Sequence, residues 1–234
     1  VGSEMCIRDR RYGMFALHGS FCWRRTQRRQ GWKAVTILLV AVLFTPFGVA
    51  CALADQTPPD MVPNLENDPA SPVIGNPKGS LTIIDFFDYR CPYCRAMDPL
   101  LRAAVAKNHN IRLVFKDWPL FGGVSVDAAR VAIAAGFQGK YLPVHEALFA
   151  LHDMDEASIR AAAAKAGANM ARLDEDLAQH GAEIDAILAR DVTEAQTLNF
   201  LGAPGLVIGT HVSAGAMQPE ALQALIQAQS AAPR

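Results

Sequence analysis

Cysteine is scarce in this sequence. Five occur in 234 residues, and beyond residue 54 only Cys91 and Cys94 remain. A zinc site takes about four ligands, and no second cysteine pair follows these two, so a structural metal is disfavoured. In an oxidising compartment the same scarcity leaves no odd thiol to mispair. Basic charge is lacking as well. Residues 55–234 carry 14 Lys and Arg against 21 Asp and Glu, a net −7, and nothing marks a nucleic-acid partner. No repeat or low-complexity tract is present, and from Ser125 to about Phe200 no strand pattern occurs.

An initiator Met is missing too. Residues 1–10, VGSEMCIRDR, resemble the translation of a transposon-type sequencing adapter and are set aside together with Cys6; Met14 is the expected start. Residues 14–54 have a signal-peptide layout, with Arg24, Arg25, Arg28, Arg29 and Lys33 ahead of an almost wholly apolar run from Ala34 to Ala54. Ala52-Leu53-Ala54 offers the small residues that a signal peptidase reads, so cleavage is expected before Asp55, and the protein is expected in the periplasm. Retention of the run as a membrane anchor facing the periplasm is the alternative. Lipidation of Cys51 is disfavoured by Gly48, which stands where a lipobox wants Leu. Residues 55–72 hold Pro58, Pro59, Pro63, Pro69 and Pro72 with little apolar content, which reads as a flexible arm.

The chain is organised around Leu81 to Met97, LTIIDFFDYRCPYCRAM. Leu81 to Phe87 is a β-branched and aromatic run, the pattern of a strand buried on both faces, with Asp85 as its misfit. Pro92 suits the first position of a helix, which places Cys91 at the N-cap, and Pro99 further in should bend that helix. A Cys91 thiolate there would face unpaired amides and the positive end of the helix dipole, with Arg90 and Arg95 near in sequence, so its pKa should be depressed. Cys94, one turn on and more shielded, suits a resolving partner. A zinc half-site or an inert structural disulfide are the competing readings of C-x-x-C, and redox chemistry is favoured over both.

Ile111–Phe115 reads as a second strand and Val73-Ile74 as a short edge strand. Helical patterns follow at about 125–138, 142–151, 155–166, 169–179 and 182–199, with Asp155 as an N-cap backed by Ser158. His145, His152 and Asp153 mimic a metal site if they share a helix face, though ordinary histidines are the favoured reading. Residues 201–210 return to strand character after a Gly-Ala-Pro-Gly turn, residues 211–214 suit a hairpin partner, and Gln218 to Gln229 closes the chain as a helix.

The stretch around the two cysteines resembles the active site of the thioredoxin superfamily, and specifically of DsbA-like bacterial thiol-disulfide oxidoreductases. The resemblance covers roughly residues 73–228 and rests on Asp85, Cys91-Pro92-Tyr93-Cys94 and Pro204. It implies an α/β thioredoxin fold with an inserted α-helical domain: residues 73–124 and 201–230 form the thioredoxin-like part and 125–200 the insertion. In that superfamily the acidic residue six positions before the first cysteine lies buried behind the pair and assists proton transfer, a place Asp85 occupies. A cis-proline packs against the cysteines, a place matched by Pro204, and the resemblance puts Ala203 and Gly205 in contact with substrate. Position 203 is usually Val or Thr in relatives, and Gly205 is unusually small.

The implied chemistry is disulfide exchange with unfolded or thiol-containing client proteins. It needs no cofactor beyond the redox-active Cys91–Cys94 disulfide and a membrane or soluble redox partner to reset it. Tyr93 stands where DsbA has His, so one anion-stabilising group is missing and an intermediate oxidant is expected. The FFDYRCPYC context also resembles isomerase-like and copper-tolerance-associated members, which oligomerise through an N-terminal segment; the short arm here favours a monomeric oxidase. Isomerase or reductase activity is one alternative, and a Cu(I)-binding dithiol module is another.

Overall fold

The computed structural model describes residues 62–232. The readings made for residues 1–61, the adapter peptide, the signal segment and the start of the arm, lie outside the described residues.

Two strands buried along their whole length carry the fold. β2 (Leu81–Phe87) and β3 (Ile111–Asp117) pair in parallel, with Asp85 opposite Phe115 and Phe87 opposite Asp117. α2 (Pro92–Lys107) connects them and stays continuous through Pro99. Between β1 (Val73–Gly75) and β4 (Gly205–Ile208) these strands sit at the centre of a five-stranded sheet, β1-β3-β2-β4-β5, whose other pairings are antiparallel. β5 (His211–Ala214) follows β4 through a tight turn in which Gly209 takes a positive φ of 60°, a conformation open to glycine at little cost.

Alternation along the strands divides the interior. Leu81, Ile83 and Phe87 with Ile111, Leu113 and Phe115 face one apolar cluster, which also holds Met97 and Leu101 of α2. That side is covered by α3 (Val124–Gly136), α4 (Tyr141–Phe149), α5 (Glu156–Lys165), α6 (Met170–Gln179), part of α7 (Gly181–Thr197), and α8 (Pro219–Ala231). Ile84, Phe86, Val114 and Val207 face a second cluster with Leu65, Trp118, Leu198 and Phe200. The five helices α3–α7 run between β3 and β4 without a strand, as the patterning suggested, and α5 opens with a reciprocal Asp155–Ser158 capping box.

Of the arm expected at 55–72, only residues 62–72 are described, and they pack onto the sheet. Where a flexible segment was expected, α1 (Val62–Glu66) is helical and Leu65 is buried in the second cluster. Asp68 explains the docking. Its carboxylate lies 2.7 Å from Lys116 Nζ and 2.6 Å from Arg190, and it accepts a hydrogen bond from Ser71 Oγ. Lys116 is wholly buried and also pairs with Asp191 at 3.3 Å and Glu194 at 2.8 Å. A buried ammonium needs such partners, because burying an unpaired charge is far costlier than pairing it. We expect Lys116→Met, which leaves Asp68, Asp191 and Glu194 with Arg190 as their remaining cation, to cost about 3–5 kcal/mol in urea unfolding. An unchanged unfolding midpoint would show that the cluster carries no stability.

Candidate active site

β2 delivers the chain to a short loop, Asp88-Tyr89-Arg90, and the loop is fastened by one side chain. Asp88 Oδ1 accepts hydrogen bonds from Arg90 N at 2.7 Å and Ser125 Oγ at 2.8 Å, and Oδ2 accepts from Phe121 N at 3.0 Å. Its carbonyl accepts from Cys91 N at 3.0 Å. Asp88 therefore ties the approach to Cys91 to the segment after β3 and to the start of α3. An Asp two residues before a turn amide is a recognisable local signal, and Asp88 was the functional residue the sequence reading passed over.

Cys91 is the N-cap of α2, in extended conformation, and Pro92 occupies the first turn. The Cys91 Sγ accepts from Cys94 N at 3.4 Å and lies 3.3 Å from the carbonyl oxygen of Ala203. The Ala203–Pro204 peptide is cis, and Pro204 is buried. Both cysteines are free thiols, buried to 2% and 1% exposure.

The two thiols are driven apart electrostatically. Cys91 is pulled down to about 6, chiefly because the Cys94 thiol donates to its sulfur, with further help from the Cys94 and Tyr93 amides, against the opposing effect of burial. Arg90 and Arg95 are not among the causes. Arg90 points into solvent and Arg95 is half-buried, and the lowering comes from hydrogen bonds at the helix end. Cys94 moves far upward, first through burial, then through donating to Cys91, then through the nearby Asp85 carboxyl.

Asp85 lies on the same face of β2 as Phe87, fully buried, and its Oδ1 has no hydrogen-bond partner. Burial raises its pKa well above the carboxylate range, and the charges of Asp98, Cys91 and Asp117 add to this. An orphan carboxyl in such a place is kept as the neutral acid. Asp117, at the end of β3, accepts from Tyr141 at 2.7 Å and is pushed up to about 8, mainly by burial.

The remaining candidates divide. Tyr93, between the cysteines, is 65% exposed, and Pro92 is exposed beside it. Ala203 is half-buried against the Cys91 sulfur. Gly205 is buried in β4 between Phe86 and Ala214, and a Cβ there would run into the Phe200 ring, so its smallness makes room for that ring. His145 and His152 do not share a helix face, since His145 is buried inside α4 and His152 lies exposed past its end. Among the described residues no group of three or more His, Cys, Asp or Glu is placed to hold a metal.

Comparison with known proteins places this geometry. A family model described as Thioredoxin matches residues 67–228. A thioredoxin-like oxidoreductase from Silicibacter pomeroyi DSS-3 is 37% identical, with a TM-score of 0.67 over 72% of this chain and 97% of that one. A periplasmic thioredoxin-like protein from Salmonella enterica serovar Typhimurium is 32% identical, with a TM-score of 0.67 over 76% of this chain and 99% of that one. The catalytic domain of Proteus mirabilis ScsC is 28% identical, with a TM-score of 0.66 over 74% of this chain and 96% of that one. Among curated proteins, the chain is similar to a Na(+)/H(+) antiporter NhaA 1 of Mycolicibacterium gilvum at 24% identity, spanning 31% of its length. It is also similar to the thiol:disulfide interchange protein DsbA of Burkholderia cepacia at 29% identity, spanning 45% of its length.

The hydrogen bond from Cys94 to Cys91 gives the site its sharpest test. In Cys94→Ala the largest cause of the low Cys91 value is gone while the helix amides remain, so thiolate absorbance should titrate above the parent's midpoint of about 6. A midpoint unmoved from the parent's would mean that the helix end alone stabilises the thiolate.

Proposed function

This chain belongs to the thioredoxin family, and from that premise we propose that it is a thiol-disulfide oxidoreductase of the DsbA and ScsC type, an exported oxidase working through Cys91 and Cys94. The observation that carries the reading is the Cys91 sulfur, exposed to the free amides of α2 and 3.3 Å from the carbonyl before Pro204.

In the oxidised enzyme a client thiolate attacks Cys91 Sγ, the Cys91–Cys94 bond breaks, and Cys94 leaves as a thiolate. That thiolate is costly where it sits, so it takes a proton, and the neutral Asp85 behind it supplies one. A second client thiolate then attacks the client sulfur of the mixed disulfide, forming the client disulfide and releasing Cys91 as the thiolate that its hydrogen bonds favour. A membrane or soluble redox partner accepts the two electrons and restores the pair. In the reverse direction Cys91 attacks, and Asp85, once it has released its own proton to water, receives the Cys94 proton as a carboxylate while Cys94 resolves the intermediate.

Four large apolar side chains support protein clients as substrates. Tyr93 lies between the cysteines, Leu201 precedes Ala203 by two residues, and Leu120 and Phe121 sit in the loop tied to Asp88, all of them exposed. Residues 62–72 fold onto their own sheet rather than extending as a separate arm, which favours a monomer. Likeness to a periplasmic protein supports export, and among the described residues no helix is long and apolar enough to cross a membrane.

With Tyr93 in place of a cation, the equilibrium reduction potential against glutathione should fall between the roughly −270 mV of thioredoxin and the roughly −120 mV of DsbA. A value at or below thioredoxin's makes the enzyme a reductant. Light scattering should show a monomer that oxidises reduced ribonuclease faster than it unscrambles it, and insulin reduction should need no added metal. A stable oligomer with strong isomerase activity overturns the oxidase reading. Asp85→Ala should slow the step that needs Cys94 to lose its proton by about 10²-fold, with Cys91-linked adducts accumulating on non-reducing gels. Resolution at the parent's rate would remove Asp85 from the mechanism.

A further inference from the structure

One buried group has no part in the steps above. His145 comes from α4, within the run of helices between β3 and β4, and its side chain is wholly buried. Its Nδ1 lies 3.1 Å from Tyr89 Oη, and its Nε2 lies 3.1 Å from Asp98 Oδ1. Tyr89 is two residues before Cys91, in the loop that Asp88 fastens. Asp98 is one helical turn after Cys94, on the same face of α2, since residues four apart stack. We propose that His145 is a positioning residue for disulfide exchange, joining through Tyr89 and Asp98 the loop that leads into Cys91 and the helical turn that follows Cys94. This deepens the exchange reading and rests on it.

The surroundings make the link stiff. The His145 ring packs edge-on against Phe87 and Phe149, with centroids 5.0 and 4.9 Å away, and stacks on Tyr141. Burial lowers its pKa, against the raising effect of Asp98, and of the other facing charges Arg102 lowers it and Glu146 raises it. A neutral imidazole has one ring proton. Placed on Nε2 it is donated to the Asp98 carboxylate, and Nδ1 is left to accept from the Tyr89 hydroxyl. Asp98 is held from the other side by Arg102 at 2.8 Å, and Arg102 reaches Glu146 at 2.6 Å. Both ends of the active-site junction are thereby referred to one ring on a different layer of the fold. The junction needs this because Cys91 depends on amides and a thiol aimed at its sulfur, and a small tilt of the first turn of α2 spoils several such bonds together.

The test reads the thiolate titration of Cys91 alongside urea stability. In folded His145→Leu the midpoint should rise by about one pH unit, a tenfold change in proton affinity. His145→Gln, which can both donate and accept, should recover most of that shift. Tyr89→Phe, which keeps the ring and loses only the hydroxyl, should shift the midpoint the same way by less. A folded His145→Leu that loses stability yet titrates like the parent makes His145 a packing residue and overturns the proposal. If that variant does not fold, an unmoved midpoint in Tyr89→Phe overturns it instead. A parent Cys91 that titrates at the free-thiol value of about 8.5 overturns the exchange reading itself, and this inference with it.

Discussion

The aim of a few hydrogen-bond donors at one sulfur governs the rest of this structure. Cys91 is lowered to about 6 chiefly because the Cys94 thiol points at it, and further because the first turn of α2 has amides with no helical partner. Those bonds are directional, so the elements around them serve orientation. β2 and β3 set the floor, Pro92 starts the helix at a fixed φ, and Asp88 spends three acceptor contacts on the loop. Stabilising the thiolate weakens the disulfide by favouring its reduced form, which ties the local geometry to the direction of exchange.

Charge is managed in opposite ways on the two faces of the sheet. Behind the cysteines Asp85 has an orphan oxygen and Asp117 rests on a tyrosine hydroxyl, and both are pushed toward the neutral acid. On the far face Lys116 is surrounded by Asp68, Asp191 and Glu194, and it keeps its charge. The physical rule is the same in both places. A buried ionisable group either finds a counter-charge or changes protonation. One outcome holds the N-terminal stretch onto the core, and the other leaves a proton available beside Cys94.

The approach to Pro204 shows packing and chemistry meeting in one turn. α7 ends with Asn199 at φ 58°, Asn199 N bonded to the Gln196 carbonyl and Phe200 N to that of Ala195, a Schellman ending. That reversal seats Phe200 under Gly205 and against Phe86, with ring centroids 5.5 Å apart. The chain then reaches Ala203 with its carbonyl toward Cys91, while Leu201 stays in solvent.

By itself the sequence determined the strand–helix junction, the N-cap role of Cys91 and the helix spans between β3 and β4, because each depends on residues within a turn or two of one another. Proline at a helix start, a β-branched run and an Asp-x-x-Ser cap act locally, and they survive whatever packs on them. Tertiary structure alone decided the rest. The stretch at 62–72 has an unpromising composition, yet it docks because Lys116, 48 residues from Asp68, needs a counter-charge. Cys91 is lowered by the Cys94 thiol and by the Cys94 and Tyr93 amides at the helix end, while Arg90, beside it in sequence, lies in solvent, where water screens its charge. Gly205 is small for Phe200, and His145 faces Tyr89 from 56 positions away. Distances across the chain set these roles, and no local pattern encodes them.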